Sequence, residues 1–365
     1  MIHTVADPDS SWQAVADHAR KHETDWSRDP VSDPLHWGIH LADPPPWNRL
    51  LGPVFARGAP NGVVMRGHQV LARWGEPDRA DLTFSIAKTY LALLAGVAHD
   101  RGLLDDPQRA VAEQLPGIGF DDRHNAGVTW EQLLQQTSEW SGTCFGVPDQ
   151  VDHFRRLSFE PPLPDGQVAP AKGSLRELKS PGTHWEYNDV RINQLSLALA
   201  HLFGDALPVV FRDSIARPLG LSQTWAWHGY DNSWVTVGGH RIQSVPGGSH
   251  WGGGVQISAI DQAKLGRLLT SDGLVDGQRV LSASWLARMR QPCAIAPFYG
   301  YLLWLNTDRH LFASAPASAS FAIGAGSSVV AHLPEQDVVI VMRWIRSDAI
   351  DGLIALAMQA LARHG

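Results

Sequence analysis

At 365 residues, with 44% hydrophobic and 18% charged side chains, the chain can bury a large core as one big domain or two interleaved ones. Its formal charge of −7, with no Lys/Arg-rich run to offset it, argues against electrostatic binding to nucleic acid or to an anionic membrane. Two cysteines, Cys144 and Cys293, make no disulfide framework, and no basic segment followed by an apolar one at the N-terminus suggests a signal peptide, so a soluble cytoplasmic protein is expected.

In chain order, residues 11–26 have helical spacing, with His18 and His22 one turn apart. No Glu stands between them as in a zinc-protease helix, so a solvated face is expected there and no metal site. Pro44-Pro45-Pro46 reads as extended surface chain. Val63-Val64-Met65, Arg66-Gly67 and Val70 to Trp74 predict a β-hairpin. From Ser85 a helix runs through Thr89-Tyr90-Leu91-Ala92-Leu93-Leu94-Ala95, apolar on every face, to the polar stop at His99-Asp100-Arg101-Gly102; a helix apolar all round lies inside a protein. Thr129 is the expected N-cap of a short helix over 130–134, followed by a loop at 137–142. Residues 160–183, rich in Pro and Gly, read as loop. Helical periodicity returns at 190–203 and 261–269. Strands are expected at 327–333 and 338–344, and a last helix from about 350 to 363. Strands at both ends with helices between them predict an α/β fold: an antiparallel sheet flanked by helices, built from residues 1–84 plus 205–365. A mostly helical domain over 85–204 would be inserted, with the active site at the interface.

Within this frame Ser85 and Lys88 stand out. The chain holds 25 Arg but only five Lys, and lysine is the cation that can give up its proton when desolvated. Positions i and i+3 share a helix face, so hydroxyl and amine would be neighbours, the geometry of an activated serine nucleophile. About 0.4 Ser-x-x-Lys pairs are expected at random in such a composition, so the spacing alone is weak. A lysine in the first turn of a buried helix, however, must reach a cleft or carry a large desolvation cost. A second candidate is Tyr187 in Pro181-Gly182-Thr183-His184-Trp185-Glu186-Tyr187-Asn188-Asp189, since a phenol near cations can act as a proton shuttle. The third is Phe321-Ala322-Ile323-Gly324-Ala325-Gly326-Ser327, where small residues let a strand edge approach a ligand and turn N–H groups toward a developing oxyanion. Fifteen Trp are present, and those in loop-like segments (Trp140, Trp185, Trp225, Trp227, Trp251) would suit the wall of an apolar pocket.

The order Ser-x-x-Lys, Pro-Gly…Tyr and Gly-containing strand resembles the serine β-lactamase and penicillin-recognising superfamily. It is most similar to the class C β-lactamase-related branch of esterases, D-aminopeptidases and 6-aminohexanoate-dimer hydrolases. Leu133-Leu134-Gln135-Gln136-Thr137-Ser138 and Trp251-Gly252-Gly253-Gly254…Ser258-Ala259-Ile260-Asp261 extend the likeness over most of 60–345. The resemblance implies Ser85 as nucleophile, Lys88 as its activating neighbour and Tyr187 as general base or acid. It also implies an oxyanion hole from the backbone N–H groups of Ser85 and Ala325. A Lys⁺ beside a phenol would stabilise the phenolate, which leaves both Lys88 and Tyr187 open as resting base. Asp189, Trp140, His250, Trp251, Ile323 and Gly324 are expected to contact substrate. No cofactor or metal is implied.

Two departures narrow the reading. The family's middle motif usually has Asn where Asp189 stands, and its third motif usually has a cation before the glycine, where Ala322-Ile323-Gly324 has none. Both argue against a β-lactamase and for a carboxylic ester or small amide as the small-molecule substrate, by way of an acyl-enzyme. An amidase, D-amino-acid peptidase or weak β-lactamase on the same residues is one alternative. A non-catalytic penicillin-binding-like sensor is the other. His250, after Gly247-Gly248-Ser249, is a rival base, but Trp251 replaces the second glycine of a nucleophile elbow.

Overall fold

The computed structural model describes residues 10–157 and 166–363. Six strands form one antiparallel sheet: β1 (Asn61–Arg66), β2 (Gln69–Trp74), β3 (Trp304–Leu305), β4 (Ser320–Gly324), β5 (Ser328–Leu333) and β6 (Val338–Arg343), in spatial order β3-β4-β5-β6-β1-β2. The centre is β6, where Val338-Val339-Ile340-Val341-Met342 is buried on both faces, as an unbroken apolar run requires. The predicted N-terminal hairpin and the two C-terminal strands are thus present and share this sheet, with register Val63 opposite Val341.

Helix α1 (Ser10–Lys21) packs on α6 (Ile350–Arg363), and α5 (Ala259–Thr270) lies across β1, β5 and β6. The expected solvated face of α1 is instead half-buried. His18 Nε2 lies 2.9 Å from the carbonyl of Ala349, because the start of α6 covers that face. Helix α2 (Ile86–Asp100) is buried from Ile86 to Ala98 and touches β4, β5 and α4 (Asp189–Phe203). Thr129 caps α3 (Trp130–Leu134) through a complete capping box with Gln132. The strand Asp81–Leu82, which leads into the Ser85 turn, pairs with Gly254–Ile257 in a second small sheet. Part of the predicted 160–183 loop, 160–165, lies outside the described residues; 166–183 has no helix or strand. Among the described residues no single helix is long and apolar enough to cross a membrane.

Candidate active site

Ser85 stands at the N-terminus of α2, directly after a residue in an unusual conformation. Phe84 has φ 50°, the left-handed region, which costs a non-glycine residue on the order of 1–3 kcal/mol when strained. Packing holds it there: the buried Phe84 ring meets Trp26, Trp37 and Trp344 at centroid distances of 5.2, 5.5 and 6.3 Å. The turn brings Ser85, 8% exposed, to the wall of a cavity of about 690 Å³. The helix dipole at this end favours negative charge beside the hydroxyl.

Lys88 Nζ donates to Ser85 Oγ at 2.9 Å, as the i,i+3 spacing predicted, and the side chain is fully buried. Burial lowers its pKa below the ordinary lysine value, opposed by the charge of Asp189 and aided by that of Arg155. Asp189 forms an ion pair with Lys88, accepts from Arg155 Nη1 at 2.7 Å, and meets His250 Nδ1 at 2.7 Å. Burial alone would push its carboxyl up; Arg155 and Lys88 outweigh burial and hold it well below the usual carboxylate range. Tyr187 lines the cavity beside Ser85, and its ring lies 4.8 Å from Lys88 Nζ and 5.2 Å from the Arg155 guanidinium. The charge of Arg155 favours a phenolate but is outweighed. Burial, with Asp189 adding to it, pushes the phenol well above its ordinary value, so Tyr187 rests neutral.

Two glycines set the floor of the site. A Cβ on Gly248 would lie 3.2 Å from Lys88 Nζ and 3.5 Å from Ser85 Oγ, so this backbone closes directly on the pair. A Cβ on Gly324 would lie 2.2 Å from the Thr83 carbonyl oxygen, so the end of β4 presses on the chain two residues before Ser85. Gly324→Ala should therefore shift the Ser85 turn. We expect a stability loss of about 1–3 kcal/mol in urea unfolding and a fall in kcat; parent-like kinetics would show that this contact does not shape the site.

Of the residues expected to contact substrate, Ile323 and Gly324 line the cavity, with Ser85, Tyr187 and Ala325. Four others do not line it. Trp140 is buried elsewhere, its Nε1 donating to the Gly119 carbonyl at 2.7 Å and its ring close to Gly142. Asp189 lies beneath Lys88 as its counter-ion. His250 and Trp251 are stacked at 3.9 Å in the layer behind Asp189, and Trp251 Nε1 donates to Asp43 at 2.8 Å. The rival elbow also fails, since Ser249 is 1% exposed and does not line the cavity. The aromatic walls come instead from Trp26 and Trp304, and cations from Arg155, Arg156 and Lys172. None of these lies in the three motifs, and no local pattern marks them.

The family model described as Beta-lactamase matches residues 49–351. The chain belongs to the beta-lactamase family. Its similarity to a 6-aminohexanoate-dimer hydrolase from Paenarthrobacter ureafaciens is 24% identity over 231 residues, 61% of this chain and 55% of that protein, so it spans a little over half of the relative's length. Among solved structures, a penicillin-binding protein homologue from Caulobacter crescentus superposes with TM-score 0.61 at 16% identity, covering 98% of this chain and 99% of that one. A D-stereospecific amidohydrolase from Streptomyces sp. gives 0.56 at 17% identity, covering 96% and 97%. These likenesses support the mixed α/β architecture of antiparallel sheet and helices expected from the sequence.

Proposed function

We propose that this member of the family is a serine hydrolase that forms an acyl-enzyme at Ser85 from a carboxylic ester or small amide. The observation that carries the reading is the 2.9 Å contact between Ser85 Oγ and a fully buried lysine, at the wall of a cavity large enough for a small substrate. In this reading neutral Lys88 accepts the Ser85 proton as Oγ attacks the carbonyl carbon. The resulting oxyanion faces the N–H groups of Ser85 and Ala325, aided by the α2 terminus. Tyr187, a neutral phenol between Lys88 and the cavity, donates its proton to the leaving oxygen or nitrogen and regains one from the Lys88 ammonium. Water then attacks the acyl-enzyme by the same route in reverse.

Asp189 supports this assignment in a role other than substrate contact. With Arg155 and His250 also on it, its charge is shared, which leaves Lys88 less firmly held as an ammonium than in an isolated pair. The name of the Paenarthrobacter ureafaciens relative favours the amide reading, and comparing an ester, a D-alanine amide and a linear aminohexanoate amide separates the two. Incubation with a fluorophosphonate probe, then mass spectrometry, tests the nucleophile: we expect one adduct, on the peptide containing Ser85. Labelling at another serine, or none, would overturn the assignment. A stable adduct with no turnover of any ester or amide would point to the non-catalytic binding domain instead.

A further inference from the structure

The segment 166–180 forms part of the cavity wall through Ala169, Pro170 and Lys172, yet it contains no helix or strand to fix it. Two cations fasten it. Arg176 reaches Glu139 at 2.6 Å and Glu186 at 2.7 Å. Lys172 reaches inward among Asp43, Asp152 and His250: its Nζ is paired with Asp43, lies 3.0 Å from an oxygen of Asp152 and 3.3 Å from His250 Nε2. The side chains of Asp43 and Asp152 are wholly buried, whereas Lys172 is 15% exposed. The ligand-type atoms of Asp43, Asp152 and His250 all lie within 4.8 Å of one another, a spacing that suits a bound cation. In this protein that cation is the ammonium of Lys172. Arg155 Nη1 also lies 3.4 Å from Asp152, but Lys172 is the cation that reaches both buried carboxylates, so the strap is held down by an interaction that helps to neutralise them. Gly173 adds a backbone bond to the His153 carbonyl at 2.9 Å and packs so close to Pro44 that a Cβ would approach to 2.6 Å.

We propose that Lys172 is a tethered ammonium plug in a cation site made by Asp43, Asp152 and His250, and that by filling it the 166–180 strap fixes the wall that selects the acyl group. The selection part rests on the hydrolase reading above; the plug does not. Lys172 is then a positioning residue: its charge sets where Ala169 and Pro170 stand across the cavity from the apolar side chains of Trp26 and Ile39.

The test removes the plug and asks whether a free cation replaces it. Lys172→Ala and the parent are titrated calorimetrically with Zn²⁺, and their kinetics on p-nitrophenyl acetate and hexanoate are compared. We expect the variant, unlike the parent, to gain a zinc site that Asp43→Asn in the same background removes. KM for the hexanoate should rise about tenfold, with kcat changing much less, and Zn²⁺ or Lys172→Arg should restore it. A folded Lys172→Ala protein that gains no zinc site overturns the plug. An equal loss on both esters, confined to kcat, overturns the selective role. If Lys172→Ala does not fold, Lys172→Met decides by the same split in KM, and an unchanged KM for hexanoate rejects the proposal. If the parent hydrolyses neither ester, the ester reading and the selective role fall, while the zinc titration still judges the plug.

Discussion

Ser85→Ala should abolish hydrolysis of p-nitrophenyl butyrate, with kcat falling by about 10⁴-fold or more, since the remaining groups have no atom to carry the acyl group. The substitution deletes one oxygen at a site open to the cavity and leaves the Phe84 turn and the start of α2 intact. Its effect on the unfolding midpoint should be small, and a parent-like melt separates loss of chemistry from loss of fold. Undiminished hydrolysis by the purified variant would refute Ser85 as the nucleophile.

Lys88→Met should be nearly as damaging, by about 10³-fold or more, because the thioether fills similar space but cannot take the serine proton. This variant also carries a pH signature. In the parent, activity should rise with pH as Lys88 loses its proton. Burial lowers its pKa, so that limb should lie below the ordinary lysine range. The linkage to stability has the same sign. Between the lowered folded value and the ordinary value the unfolded chain binds the proton more tightly, so folding stability rises with pH across that window. In Lys88→Met both the rate limb and this stability gain should flatten. A pH-rate profile with urea unfolding at several pH values measures both; a rate limb that persists in the variant would assign the base elsewhere. The resting neutrality of Tyr187 bears on the same profile. Its phenol is held above the ordinary range, so it does not supply the rising limb.

The segments read correctly from the sequence are those whose signals are local. Thr129 with Gln132 three residues on forms its capping box, and the unbroken apolar run of 338–342 forms the central strand. Ser85 and Lys88 meet because helix geometry alone places i and i+3 on one face. Asp189, two residues after Tyr187 at the start of α4, pairs with Lys88 from a distant part of the chain. Its burial beneath Lys88 was not legible, since that depends on Arg155 and His250 arriving from 34 and 61 residues away. Trp140 shows the converse. A Trp in a polar loop looks like a pocket wall, but Gly119 and Gly142 offer it a buried niche and a carbonyl for its N–H.

The sequence by itself determined the Ser85–Lys88 contact, the place of Tyr187, the glycine strand and the family, because each rests on spacing within a few residues or on the order of such motifs along the chain. Only the tertiary structure decided the charge state of Tyr187, the walls drawn from Trp26 and Trp304, and the seating of Lys172 between Asp43 and Asp152. Those features depend on which distant segments meet and on how much water is left between them. Desolvation and the sum of neighbouring charges belong to the packed molecule, and no local run of residues encodes them.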